Sequence, residues 1–97
     1  MGTLINSLRG IHILVPRNFV EAAGMYNTLL SSDEPGIIIE PLNAYRLKEI
    51  LPNNLSDIKV EFGIPTILRE GSDITIVTYG SMCRIVMDSA DQLASVG

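Results

Sequence analysis

The sequence contains few of the residues on which disulfide-bonded, zinc-binding and membrane proteins depend. It contains no tryptophan, one cysteine and one histidine among its 97 residues. A single cysteine, Cys83, can form neither an internal disulfide nor a cysteine-based zinc site. It is typical of a reducing compartment, so we expect a cytoplasmic location. The longest nearly uninterrupted apolar run, residues 11–15, is far shorter than the roughly twenty residues of a bilayer span, and we expect no membrane segment.

Positive charge is also scarce. Seven basic residues stand against eleven acidic ones, which gives a net charge of −4, and the aromatic residues are only two phenylalanines and three tyrosines. Nucleic acids and anionic membranes both require a basic surface, so neither is an expected partner. Hydrophobic residues make up 46% of the chain and its mean hydropathy is +0.30, which excludes a disordered polymer.

Residues 11–39 have the pattern of a β-α-β unit. Residues 11–15 (IHILV) form a β-rich run that ends at a proline. Asn18 then offers a helix N-cap, with Glu21 three residues further on, and apolar residues follow at helical spacing up to about Ser31. Three consecutive isoleucines at 37–39 predict a second strand, buried on both faces and parallel to the first.

The second half of the chain predicts another strand and helix after a connecting segment. Residues 41–57 contain two prolines and few periodic apolar positions, which indicates a linker. Residues 74–79 (ITIVTY) give the strongest strand signal in the chain. Gly80 interrupts it, Ser81 is positioned to cap a helix, and apolar residues recur at helical spacing from Met82 onward.

These patterns predict an α/β fold that is incomplete by itself. Two helices cannot cover both faces of parallel strands, and the strand predicted at residues 74–79 has no returning partner. Each uncovered strand exposes large side chains whose burial stabilises a protein by about 1.5–3 kcal/mol apiece. We therefore expect a segment of a larger protein, and we expect self-association when the chain is isolated.

Three blocks of the sequence are similar to a known family. The blocks are GIHILVPRNFVEAAGMYNTLLSSDEPGIIIEP, EPLNAYRLKE and GIPTILREGSDITIVTYGSMCRIVMDSADQLASVG. They resemble the beta subunit of the thiamine-diphosphate-dependent decarboxylating component of 2-oxo acid dehydrogenase complexes, of the pyruvate or branched-chain type. The third block is the most specific, because the order of its REGSDITIVTYGSM run is recognisable. The resemblance covers nearly the whole chain.

The resemblance implies a division of the chain. Residues 1–41 match the end of a pyrimidine-binding domain of the transketolase-like superfamily, residues 42–72 an interdomain linker with short extended segments, and residues 73–97 the start of a transketolase C-terminal-type domain. The parent enzyme would oxidatively decarboxylate a 2-oxo acid, using thiamine diphosphate and magnesium, and transfer the acyl group to a lipoyl carrier. Its partners would be an alpha subunit or alpha half and the lipoyl acyltransferase of the complex.

Two other interpretations fit less well but stay open. Transketolases and deoxyxylulose-phosphate synthases share the implied architecture, although they match the third block less closely. A small non-enzymatic interaction protein, whose apolar sheet faces bind a partner, is the remaining alternative.

The sequence departs from the family in having no catalytic groups. The family's cofactor-protonating glutamate and active-site histidine both lie upstream of the matching region, so we predict no catalytic and no cofactor-binding residue here, and an inactive isolated chain. His12, the only histidine, lies within an apolar strand pattern and is interpreted as structural, because acid–base catalysis also needs a positioned partner and a cleft.

One ligand site of the family overlaps the chain, in the turn after the predicted helix. The family often binds a monovalent cation there, such as potassium, through a helix-end carbonyl, an aspartate and an asparagine. The matching positions are Leu29, Ser32 and Glu34, and both side chains depart from the pattern. Helix C-terminal carbonyls attract cations, so the site is retained as a candidate beside the interpretation of a solvated acidic turn.

Three further features receive structural interpretations. Cys83 falls in the first turn of the last predicted helix, where a thiol pKa can be lowered, but a buried structural cysteine is the preferred interpretation. The Gly80–Ser81 turn resembles an anion-binding strand-to-helix junction, yet a helix cap is the simpler role. Glu40 and Arg46 are predicted to form an ion pair that joins the two domains.

Overall fold

The computed structural model describes all residues, 1–97. In chain order its elements are α1 (Gly2–Ser7), β1 (His12–Leu14), α2 (Phe19–Leu30), β2 (Gly36–Ile38), two short 3-10 helices (Leu42–Arg46 and Leu55–Asp57) and α3 (Met82–Ser95). No helix combines the length and the apolar character that crossing a membrane requires. The structure is therefore a mixed α/β arrangement.

The β-α-β unit predicted from the sequence is confirmed, but the prediction that its second strand is buried on both faces is wrong, because residues 36–39 are only half-buried. β1 pairs with β2 in parallel, with His12 opposite Gly36 and Leu14 opposite Ile38. Helix α2 makes the connection between them. The second strand begins one residue earlier than predicted, and the backbone N–H of Ile39 still donates to Leu14 O at 2.8 Å, which extends the ladder past the end of β2.

The start of α2 follows from its capping residues. Asn18 has an extended conformation, and its Oδ1 accepts a hydrogen bond from the backbone N–H of Glu21 at 2.8 Å. Glu21 reaches back, so that its Oε1 accepts from the backbone N–H of Arg17 at 3.1 Å and its Oε2 lies 3.0 Å from Arg17 Nε. The Asn18 side chain thus caps the helix as predicted, whereas Glu21 bonds the residue before the N-cap and not the N-cap itself, so the capping box is a variant of the usual one.

Residues 55–60 lie against α2 at a position that only glycine permits. Gly24 is buried in the middle of the helix, and a Cβ on it would lie 2.7 Å from Val60 Cγ2. The absent side chain lets the two backbones approach, so that Val60 N donates to Gly24 O at 3.3 Å. Glycine usually weakens a helix interior, and here the close packing explains its presence.

Two polar side chains of α2 fasten the same segment. Asn27 Nδ2 donates to the backbone carbonyls of Leu55 at 3.0 Å and Ile58 at 2.8 Å. Thr28 Oγ1 accepts from the backbone N–H of Val60 at 2.9 Å and lies 2.8 Å from the carbonyl oxygen of the same residue. These contacts pair the carbonyls of Ile58 and Val60, which lie outside the helices and strands. The predicted linker is therefore held on the surface of the β-α-β unit.

The strand predicted at residues 74–79 is absent, which corrects the sequence interpretation. The only sheet has two strands, β1 and β2. The ITIVTY residues have strong β propensity, but a strand needs a hydrogen-bonded neighbour, and none lies beside them. Ile74 is 77% exposed and Val77 is 92% exposed. The division into residues 1–41, 42–72 and 73–97 stays a prediction.

Two smaller differences between prediction and structure concern the start of α3 and the presence of α1. Helix α3 forms where it was predicted, but the Ser81 side chain makes no capping hydrogen bond. Ser81 already has helical φ and ψ angles of −65° and −20°, whereas a capping residue is usually extended. Helix α1 was not predicted, because residues 2–7 (GTLINS) show no capping residue and too little periodicity to signal it.

The core is small and sits where the two halves of the chain meet. Five of the 97 residues are buried, and they are Leu14, Pro16, Gly24, Gly80 and Cys83. Gly80 has φ of +61°, and a Cβ on it would lie 2.8 Å from Val15 Cγ1. The turn before α3 therefore packs directly on the end of β1 and requires glycine.

We expect the substitution Gly80→Val to lower the free energy of unfolding by more than about 1 kcal/mol, because valine is strained at positive φ and would overlap Val15. Gly71→Val is the matched control, since Gly71 has no positive φ and nothing within 4 Å of an added Cβ. Thermal unfolding followed by circular dichroism compares the two. Equal melting transitions would show that the turn does not depend on Gly80.

Candidate functional site

Two clusters of polar side chains flank the β-α-β unit. One follows β2 and joins it to the first 3-10 helix. The other follows α2 and includes the candidate cation turn. In both clusters, the parallel strands and their connecting helix bring together side chains that are distant in the sequence.

The first cluster consists of Glu40, Tyr26 and Tyr45. Glu40 Oε1 accepts a hydrogen bond from Tyr26 Oη at 2.6 Å, and its Oε2 accepts one from Tyr45 Oη. Tyr26 belongs to α2, whereas Tyr45 belongs to the first 3-10 helix, which turns back toward α2 after Pro41. A single carboxylate thus joins the helix, the end of β2 and the start of the connecting segment.

The predicted ion pair between Glu40 and Arg46 is wrong. The ion pairs of the chain are Arg17 with Glu21, Arg69 with Asp91, and His12 with Glu34. Both oxygens of the Glu40 carboxylate accept phenolic hydrogens instead. Hydrogen bonds to a charged acceptor are short and strong, so two phenols replace the guanidinium as partners.

The two hydrogen bonds shift the pKa values of Glu40, Tyr26 and Tyr45. The hydrogen bond from Tyr26, followed by that from Tyr45, lowers the pKa of Glu40 below its ordinary value. The bond to Glu40 raises the pKa of Tyr26, with burial adding to the shift, and raises the pKa of Tyr45 in the same way. A deprotonated carboxylate beside two neutral phenols is the state the cluster favours.

The second cluster contains the candidate cation residues Leu29, Ser32 and Glu34. Leu29 O accepts two hydrogen bonds from Ser32, one from its backbone N–H at 3.1 Å and one from its hydroxyl Oγ at 2.9 Å. Ser32 Oγ also accepts from the backbone N–H of Glu34 at 3.3 Å. The Leu29 carbonyl and the Ser32 hydroxyl are therefore hydrogen-bonded to each other.

The Glu34 carboxylate points elsewhere. It pairs with Nε2 of His12 in β1, whose ring lies 4.9 Å from the ring of Phe62. No group of three or more His, Cys, Asp or Glu side chains is gathered so that it could hold a metal ion. Glu34 has another partner, and the cation site at Leu29, Ser32 and Glu34 stays a prediction.

His12 has contacts that fit a structural role. Its pairing with Glu34 links β1 to the turn before β2, and the tilted stacking on Phe62 adds a contact with the second half of the chain. Neither contact was predicted from the sequence, because both partners are distant along the chain.

Cys83 is buried, as its structural interpretation implies. Burial is the main cause that raises the pKa of its thiol, and the nearby Glu21 carboxylate raises it further. Arg17 and a backbone hydrogen bond oppose these effects but do not overcome them. The position near a helix start therefore does not produce a reactive thiolate.

A shallow cleft opens beside the start of α2. It has a volume of about 220 Å³ and is lined by Arg17, Asn18, Val20, Glu21, Ile58, Val60 and Thr66. Sites for small molecules usually enclose about 300–1,000 Å³. The Arg17–Glu21 ion pair at its edge uses the charges that could orient a ligand.

Comparison with known proteins gives a consistent set of relatives. The pyruvate dehydrogenase E1 component subunit beta of Staphylococcus epidermidis is 27% identical over 89 residues, which are 91% of this chain and 27% of that subunit. The same subunit of Bacillus subtilis is 27% identical over 95 residues, or 97% of this chain and 29% of the subunit.

A mitochondrial relative agrees with the bacterial ones. The 2-oxoisovalerate dehydrogenase subunit beta of Chaetomium thermophilum is 30% identical over 93 residues, which are 92% of this chain and 19% of that subunit. The chain is homologous to a segment of these E1 beta subunits. The resemblance inferred from the sequence is thereby confirmed. The chain spans less than a third of the length of these relatives.

No protein-family profile matches this E1 beta homologue, and no solved structure is similar to it. The homology thus rests on the curated relatives, all of which align along most of the chain.

We expect Glu40→Gln to lower the pKa of both Tyr26 and Tyr45 toward the ordinary tyrosine value, because it removes the carboxylate that disfavours the phenolates. Absorbance titration of tyrosinate measures this, in a Tyr79→Phe background that leaves only the two tyrosines of the cluster. Glu61→Gln is the control, since Glu61 is exposed and contacts neither tyrosine.

The cluster of Glu40, Tyr26 and Tyr45 should also make the stability of the folded chain depend on pH. Because the pKa of Glu40 is lowered in the folded chain, its stabilising contribution is present above the ordinary carboxyl pKa and is lost as the pH falls through the lowered value. The acid limb of unfolding should therefore shift in Glu40→Gln. Unchanged tyrosine titration in that variant would contradict the assigned hydrogen bonds.

Proposed function

We propose that this chain is the scaffold segment that joins two domains of the beta part of a 2-oxo acid dehydrogenase decarboxylating component. Alignment with E1 beta subunits along 91–97% of the chain is the observation that supports this most strongly. The Tyr26–Glu40–Tyr45 cluster supports it as well, because it fastens the end of the β-α-β unit to the connecting segment.

The whole enzyme would oxidatively decarboxylate a 2-oxo acid and transfer the acyl group to a lipoyl carrier. Thiamine diphosphate, bound with magnesium outside these residues, supplies the carbanion chemistry of such enzymes. Its partners would be the alpha subunit or alpha half and the lipoyl acyltransferase, in the cytoplasm. The residues of this chain would position structure and would not contact the reacting atoms.

The turn after α2 is the one ligand site proposed within the chain. Leu29 O and Ser32 Oγ, 2.9 Å apart, are the two oxygens that would hold a monovalent cation such as potassium. Glu34 would have to leave His12 to become a third ligand. In that role the cation would order the loop between α2 and β2.

A chimera tests the scaffold proposal. The matching residues of the Bacillus subtilis subunit are replaced by this chain, and the product is mixed with its alpha subunit. We expect an assembled enzyme that decarboxylates its 2-oxo acid, whereas a control that lacks the segment should not assemble. A chimera with native helix content that fails to bind the alpha subunit would contradict the proposal.

The isolated chain should bind no cofactor, because the groups that activate the aminopyrimidine and hold the diphosphate are not matched in it. Calorimetry with thiamine diphosphate and magnesium should give no binding heat, and no 2-oxo acid should be decarboxylated. Micromolar binding of the cofactor by this chain alone would show that the catalytic groups have been assigned to the wrong part of the enzyme.

A further inference from the structure

Residues 48–53, named here the strap, have few polar contacts. None of their backbone N–H or C=O groups forms a hydrogen bond, because the backbone bonds in this part of the chain pass from Leu47 N to Asp57 N. All six residues are exposed, and Ile50 is 99% exposed. A segment with exposed side chains and unpaired backbone groups opens at a low cost in free energy.

Both ends of the strap are fixed to the β-α-β unit. Before the strap, the Tyr45 hydroxyl donates to the Glu40 carboxylate at the end of β2. After the strap, Leu55 O accepts from Asn27 Nδ2 of α2 at 3.0 Å. The strap is therefore a short loop that can move only on the surface between these two fixed points.

One side chain of the strap bonds to α2. The backbone N–H of Phe19 donates to the Glu49 carboxylate, whose Oε1 and Oε2 both lie 3.3 Å from Phe19 N. Phe19 is the first residue of α2, so its N–H is one of the four donors that a helix cannot pair within itself. A carboxylate at this position also interacts favourably with the helix dipole.

The other polar side chains at the start of α2 have partners of their own. Asn18 Oδ1 accepts from the backbone N–H of Glu21, and the Glu21 carboxylate pairs with Arg17. Phe19 is partly buried, and leaving a buried N–H without a partner costs free energy. The Glu49 carboxylate thus completes the helix start from a position thirty residues later in the chain.

We propose that the strap alternates between a closed state, in which Glu49 accepts from the N–H of Phe19, and an open state, in which this bond is broken and both ends stay fixed. The contact joins an exposed charge to a helix terminus, so salt screens it and shifts the strap toward the open state. The strap is thus a salt-sensitive conformational device on the surface of the β-α-β unit. This inference is independent of the proposed function.

Cleavage by a lysine-specific protease measures the opening of the strap. The chain has only two lysines, Lys48 in the strap and Lys59 in the segment fastened to α2, so cleavage at Lys59 is the internal reference. Phe19→Pro removes the N–H donor, and proline is well tolerated at the first position of a helix. Phe19→Ala is the matched control, because it loses the same ring and keeps the N–H. We expect the ratio of cleavage at Lys48 to cleavage at Lys59 to be about two- to fivefold higher in Phe19→Pro than in Phe19→Ala.

A salt titration tests the same contact with Phe19 in place. Raising sodium chloride from about 0.01 M to about 1 M should increase the cleavage ratio of the unsubstituted chain. The ratio should stay nearly constant in Glu49→Gln, where each chain is compared with itself at low salt so that any effect of residue 49 on the protease cancels. Glu61→Gln, which changes an exposed glutamate outside the strap, should respond to salt as the unsubstituted chain does. Equal ratios in Phe19→Pro and Phe19→Ala, or the same salt response with and without the Glu49 charge, would overturn the proposal.

Discussion

The contact between Gly24 and Val60 determines the course of the chain after the β-α-β unit. Because Gly24 has no side chain, the backbone of residues 58–60 approaches α2 closely enough for a direct hydrogen bond. Asn27 and Thr28 add bonds to the same segment from the next turn of the helix. The segment is thereby directed along α2, and the turn before α3 returns to pack on β1. A larger residue at position 24 would separate the two halves.

Local signals accounted for the first half of the chain. The capping residues Asn18 and Glu21, the helical spacing of α2 and the isoleucine run of β2 act over a few residues, so the sequence predicted the β-α-β unit correctly. The partners of Glu40 could not be predicted in this way. Tyrosine and arginine both follow that glutamate within a few residues, and only the turn of the first 3-10 helix decides that Tyr45 reaches it.

In the second half of the chain, local secondary-structure propensity alone did not predict the structure correctly. Residues 74–79 have the composition of a strand, but strand formation depends on a neighbouring backbone. The hydrogen bonds of Asn27 form although no local pattern predicted them. An asparagine within a helix does not indicate which carbonyls it contacts some thirty residues later. At the candidate cation turn, the pairing of Glu34 with His12 could not be predicted, because the two residues lie 22 positions apart in the sequence.

These observations describe a chain with one ordered unit and one segment whose backbone is unpaired. The ordered unit contains the parallel strands, α2 and residues 55–60, whereas the backbone of residues 74–79 forms no hydrogen bond. The chain is homologous to a segment of E1 beta subunits. The carboxylates of Glu40 and Glu34 each join segments that are separate in the sequence.

Amide hydrogen exchange at low protein concentration tests this division most directly. The backbone N–H groups of Ile39 and Val60 should exchange slowly and together with those of α2, because they donate to Leu14 and Gly24. The N–H groups of Ile76 and Val77 should exchange at the rate of an unstructured chain. Protection of Ile76 in the dilute monomer, or rapid exchange at Val60, would contradict the account.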